Sequence, residues 1–202
     1  MLRFLTSLVA VSFFMIQPAF ADDQAKAEYA EYGVQAGVSP FGGSYGFAYS
    51  PSAQTTWIVQ AGGLPGTDVI EQEIAGITHQ VKSSSSWMGF FLNHRPFADS
   101  DWFRLVGGIA FGQIDHELTD DSGNRYLAAY SENPVGYWGV GFFGQPEPGF
   151  YFGIDVGVLY TGGPTVTQLD GTPNKSVVEG ISDSFLFGSV IGNTQFTFGY
   201  GW

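Results

Sequence analysis

The chain has 202 residues, with 7 Lys plus Arg, 19 Asp plus Glu and no cysteine. A net charge of −12 repels phosphate backbones and sets nucleic acid aside as a partner, and the lack of cysteine removes disulfides, thiol nucleophiles and thiolate metal sites. Only 13% of the residues are charged while aromatics reach 17% and glycines number 29, a balance that suits the wall of a transmembrane barrel better than a water-exposed surface.

The first 21 residues, "MLRFLTSLVAVSFFMIQPAFA", carry Arg3, an apolar run from Phe4 to Ile16 and then Ala19-Phe20-Ala21. That is the pattern of a secretory signal peptide cut after Ala21, and the run is shorter than the ~20 residues a spanning helix needs. The reading is a leader, 1–21, followed by one domain, 22–202. No later apolar run approaches spanning length, so a mature protein in a membrane must cross it as strands.

After an acidic start at Asp22 to Ala30, apolar residues recur with a period of two. The first run sets Tyr32, Val34, Ala36 and Val38 against Gly33, Gln35 and Gly37. Across the turn Pro40 to Gly43, Tyr45, Phe47 and Tyr49 alternate with Gly46, Ala48 and Ser50. The third run sets Trp57, Val59 and Ala61 against Ile58, Gln60 and Gly62, and "GLPGTDVIEQEIAG" then breaks the pattern. In "SSSSWMGFFLNH" both faces are apolar; Met88, Phe90 and Leu92 are taken as lipid-facing. The fifth run opposes Phe103, Leu105, Ile109 and Phe111 to Arg104, Val106, Gly108, Ala110 and Gly112. The sixth opposes Trp138, Val140 and Phe142 to Tyr137, Gly139 and Gly141. The seventh opposes Phe150, Phe152, Ile154, Val156, Val158 and Tyr160 to Tyr151, Gly153, Asp155, Gly157 and Leu159. The eighth ends on "FTFGYGW".

Eight runs with short and long connections in alternation predict an all-β fold, an eight-stranded antiparallel up-and-down transmembrane barrel with both termini periplasmic. A soluble barrel also alternates, but its second face meets water and carries Lys, Glu and Arg. Here that face is Gly, Ala, Ser, Thr and Gln, which fits a narrow lumen. Trp57, Tyr160, Tyr200 and Trp202 fall at strand ends, where headgroup-level aromatics belong.

Charges on the strands are few. By the alternation Arg104 and Asp155 both point into the lumen, two strands apart, and are expected to pair as a structural bridge, with a proton or ion path as the sharper alternative. A barrel hydrolase needs a Ser and a His close together, usually with a carboxylate. His79 stands near Ser83 to Ser86, but strand residues four or more apart lie over ~13 Å from each other. A partner must come from a neighbouring strand or loop, for example His116 with Glu117. His94 falls at the expected periplasmic boundary. Asp115, Glu117, Asp120 and Asp121 share a loop without EF-hand spacing, read as solvated acid, with a loose Ca²⁺ or Mg²⁺ site as the alternative. No catalytic residue, metal ligand or cofactor is assigned.

The signal peptide, the eight runs and the terminal "FTFGYGW" resemble the small eight-stranded outer-membrane β-barrel proteins of Gram-negative bacteria, the group that includes the transmembrane domain of outer membrane protein A and the adhesion barrels. More narrowly, "FRLVGGIAFGQ" and "FGIDVGVLYTGGPTV" are similar to an uncharacterised set of proteobacterial outer-membrane proteins with an "FRLSGG" strand and an "FDLGV" strand. The resemblance implies that the barrel assembly machinery recognises Phe196, Phe198, Tyr200 and Trp202. The Ser/His arrangement of the lipid A deacylase and palmitoyltransferase barrels does not match these positions.

The expected protein is thus a monomeric outer-membrane barrel among lipid and lipopolysaccharide, acting structurally or by surface interaction with an unknown extracellular ligand. Its long loops, at about Leu64 to Gly76, Asp115 to Pro134 and Gly162 to Ser184, would carry that role. The alternatives are an outer-leaflet lipid-modifying enzyme and a narrow conduit for small hydrophobic molecules.

Overall fold

The computed structural model describes residues 29–97, 102–131, 134–172 and 174–202. The expected leader, 1–21, lies outside them. Among the described residues are β1 (Tyr32–Ser39), β2 (Gly42–Ser52), β3 (Thr55–Ile74), β4 (Ile77–His94), β5 (Phe103–Asp120), β6 (Arg125–Ser131), β7 (Val135–Phe143), β8 (Gly149–Tyr160), β9 (Thr165–Asp170), α1 (Lys175–Ser182) and β10 (Val190–Gly201).

Eight of the strands close a ring, in the order β1, β2, β3, β4, β5, β7, β8, β10, with every neighbour antiparallel. Each of the eight runs becomes one of them. The seam joins β10 to β1 from Gly33↔Gly201 to Val38↔Phe196, and Tyr32 and Trp202 exchange backbone bonds of 3.1 and 2.9 Å just beyond it. A closed ring leaves no free edge, the condition for strands to stand in hydrocarbon.

The alternation holds in space. Val34, Phe47, Val59, Met88, Phe90, Ile109, Phe111, Trp138, Val156, Phe196 and Phe198 point outward and are exposed, while Gln35, Ser44, Gln60, Asn93, Arg104, Asp155 and Thr197 are buried inside. Met88 and Phe90 do lie on the outer face of β4. A protein with its greasy residues outside and its polar residues inside has hydrocarbon for a solvent.

Three strands outgrow the ring. β3, β4 and β5 have 20, 18 and 18 residues, whereas β1 has 8 and β7 has 9. Their upper halves project as a second small sheet, extended by β6 on the edge of β5 and by β9 on the edge of β6. Here the hydrophobic phase inverts. In the same register Val81 and Leu118 now point in, fully buried, and Lys82 and Glu117 point out. The changeover falls at Ser83 to Ser86 on β4 and at Gly112 and Gln113 on β5, which marks where hydrocarbon gives way to water.

The projecting head has its own core: Ile74, Val81, Leu118, Tyr126, Ala128, Val177, Ile181 and Phe187. α1 covers that inner face because Val177 and Ile181, four residues apart, share one side of the helix. Asn174 caps its start by accepting from the Ser176 and Val177 amides. The three segments read as long loops are therefore corrected in their described residues: they are the β3–β4 hairpin, the β5–β6 hairpin, and β9 with α1. Bulges between Leu64 and Thr67 and between Asp68 and Ile70 shift the period of two, which hid the upper half of β3.

Candidate functional site

Arg104 and Asp155 meet inside the lumen toward the end that carries Tyr32 and Trp202. Arg104 Nη2 donates to Asp155 Oδ1 at 2.8 Å, both side chains are at least nine-tenths buried, and Arg104 also donates to the Phe143 carbonyl. The pair is possible because its surroundings are glycine. A Cβ at Gly141 would run into Asp155 Oδ1 and lie 2.5 Å from Arg104 Nε, and one at Gly153 would lie 2.8 Å from Arg104 Nη2. Beside them the Tyr151 ring occupies the space that a side chain at Gly199 would need, and Arg95, nearly fully buried, donates to the Gly144 carbonyl.

A cavity of about 100 Å³ runs along the lumen past this pair, lined by Gly201, Arg104, Asp155, Gln60, Asn193 and Phe41 among others. That volume has room for a few waters, and its lining mixes amide side chains with apolar ones such as Ile58, Phe91 and Val106. Phe41, Ile114, Tyr130 and Ile191 then pack together as a roof. Phe41 comes from the two-residue β1–β2 turn, where its carbonyl accepts from Ser85 Oγ and Trp87 Nε1 at 2.7 and 3.3 Å. Sequence reasoning does not single out these roof residues; the one hint is an aromatic in a tight Pro-Phe-Gly-Gly turn.

Directly above the roof, Ser83 Oγ and His116 Nδ1 share a 2.8 Å hydrogen bond. Ser83 and His116 are cross-strand partners on β4 and β5, a contact that sequence distance concealed. Burial lowers the His116 pKa from 6.5 to about 4, so the imidazole is neutral near pH 7. Its ring packs on Tyr130 and Phe187, and its Nε2 meets no hydrogen-bond partner among the described residues. Glu117 points to the opposite face, where it pairs with Arg125 at 3.1 Å, so it does not orient the ring. With both members buried and no carboxylate behind the imidazole, the pair lacks the access and the third group of a hydrolytic triad.

The other sequence candidates are dispersed. His79, buried in the head, lies opposite Asp120 in the register, and its Nδ1 bonds the Ile77 carbonyl at 2.9 Å. The side-chain amide of Asn124 holds the Asp120 carboxyl below its ordinary value. His94 meets Thr55 at the terminal end. Asp115 and Glu117 point outward while Asp120 points in, and among the described residues no three such groups converge on a metal position. Trp57 and Tyr160 are exposed on the outer wall, as are Phe196, Phe198, Tyr200 and Trp202.

An eight-stranded antiparallel ring with an apolar belt outside and buried polar side chains such as Gln60, Arg104 and Asp155 inside defines a transmembrane β-barrel of the outer-membrane type. No protein-family model and no curated protein sequence matches the chain. Among solved structures it is similar to Acinetobacter baumannii CarO, with a TM-score of 0.64 at 16% identity over 84% of this chain and 97% of that one. It is similar also to CarO2 of that organism, at 0.68 and 15% over 87% and 100%. A major outer membrane protein from Thermus thermophilus follows at 0.52 and 12% over 85% and 98%. At these identities the likeness is one of fold.

Proposed function

We propose that this is an integral protein of the Gram-negative outer membrane whose barrel is a sealed anchor and whose ordered head is a surface-interaction platform. The observation that carries the reading is the crowding of the lumen, by Arg104 and Asp155 toward one end and by Phe41, Ile114, Tyr130 and Ile191 toward the other. A bore so crowded does not serve as a general pore, and eight strands enclose little more than side chains. The long strands instead build a folded surface. In the proposed orientation both termini are periplasmic, the head meets lipopolysaccharide and an extracellular ligand, and Phe196, Phe198, Tyr200 and Trp202 are read by the assembly machinery.

The test compares cells with the protein, cells lacking it, and cells in which the outward head residues Thr78, Gln80 and Thr119 are changed to Lys. Adherence and autoaggregation are expected to fall in the second and third alike, with the third still assembled. Unchanged adherence in all three would overturn the platform reading.

The Ser83 and His116 contact favours one second reading, an enzyme acting on an outer-leaflet acyl ester. Mass spectrometry of lipid A and phospholipids from the same cells separates the two. An acylation change that Ser83→Ala abolishes would replace the platform by the enzyme.

A further inference from the structure

The segment between α1 and β10, "SFLFGS" at Ser184 to Ser189, reaches both sides of the barrel wall. Phe187 is buried, its ring 5.1 Å from that of His116 and its carbonyl accepting from the Tyr130 hydroxyl. Phe185, two residues earlier, is 62% exposed and lies over Gly192, where a Cβ would come within 2.5 Å of its ring. Gly192 pairs with the outward Val158 and belongs to the outward row Val190, Gly192, Thr194, Phe196 and Phe198. It is the one position of that row without a side chain. Phe185 fills the gap from outside.

Height decides what Phe185 meets. Gly192 stands ten residues from Trp202, roughly 33 Å along the strand and about 25 Å along the barrel axis at a tilt near 40°. That is the height of the apolar belt, so the ring rests at its head-side rim, continuous with the exposed Val158, Tyr160 and Val190. The segment's backbone is suited to that place. Gly188 N bonds Ser184 O at 2.6 Å, Leu186 N bonds Ser184 Oγ at 3.1 Å, and Thr161 N and Oγ1 bond the Ser189 and Gly188 carbonyls at 2.9 and 3.2 Å.

We infer that Ser184 to Ser189 is a lipid-seated latch: Phe185 enters the acyl chains of the surrounding leaflet and thereby holds Phe187 down on His116 and Tyr130. Its partner is lipid hydrocarbon. The proposal rests on the transmembrane reading and goes beyond it, because it couples the packing of the leaflet to the stopper of the lumen.

The chain has no cysteine, so single labels are unambiguous. In liposomes, nitroxides at Phe185→Cys, Phe198→Cys and Thr78→Cys are compared for collision with oxygen and with a water-soluble nickel chelate. The Phe185 label is expected to prefer oxygen, as the Phe198 label does, and to oppose the Thr78 label. A Phe185 label that matches Thr78 while Phe198 stays lipid-like overturns the latch; failure at Phe198 overturns the barrel itself. The coupling is read without changing Phe185, by maleimide modification of Ser83→Cys with and without Gly192→Val. A rise of about tenfold or more with the valine supports the latch, and an equal rate overturns it.

Discussion

Arg104 and Asp155 stand on strands that do not touch, and Gly141 on the strand between them lets them meet. The register runs Arg104↔Gly141↔Asp155 across β5, β7 and β8, and the 2.8 Å ion pair passes over the bare Cα. Gly141→Val is therefore expected to part the pair. Stranding buried charges costs ~3–5 kcal/mol, while replacing both by apolar groups of like size costs far less. In urea titrations followed by gel mobility, Gly141→Val and Arg104→Met should unfold well before the native protein, and Arg104→Met with Asp155→Leu should recover much of the loss. Equal loss in single and double variants would refute the account.

The lumen is narrowed at two levels, by the ion pair and by the Phe41 cluster, so widening one leaves the other. Arg104→Ser alone and Tyr130→Ala alone are expected to give no ion steps in planar bilayers. The double variant should conduct. Discrete steps from the native protein would show that neither closure is tight.

His116 sets a pH dependence for the head. Its pKa falls from 6.5 to about 4 on folding, so between those values the unfolded chain binds a proton that the folded head refuses. The stability that depends on the neutral ring is complete above about 6.5, declines as pH drops through the window, and levels off below it. The shift corresponds to roughly 3 kcal/mol. Corrected for the intrinsic pH dependence of amide exchange, the protection of β5 and β6 should fall between pH 6.5 and 4, and His116→Phe should flatten the profile.

At the tip of the β3–β4 hairpin, Ala75 has φ 53° and Gly76 has φ 76°. Both central residues of the turn are left-handed, a conformation that Gly and Asn adopt readily and Ala does not. Ala75→Asn should stabilise the hairpin by ~0.5–1 kcal/mol, seen as slower exchange at Ile77 and His79. Faster exchange would mean that the turn is held by something other than its own dihedrals.

The eight ring strands, their facing and the seam at β10 were legible in the residues, because a strand between lipid and a narrow lumen has two different solvents and writes a period of two along itself. Arg104 and Asp155 could be assigned to one interior for the same reason. The head was not legible. In Val81 to Met88 the period persists while its sense reverses, and only the pairing of β4 with β5 tells which side is inside at each height. The serines that looked like a soft linker are the crossing point.

The sequence by itself determined the solvent of each strand face, since alternation is a local property of residues two apart. Tertiary structure decided everything that depends on distant partners: Gly141 as the gap for an ion pair on its two neighbours, Phe41 as a roof, Ser83 against His116 across two strands, and Phe185 over Gly192. Those contacts depend on the barrel's closure and strand register, which place residues far apart in the chain side by side.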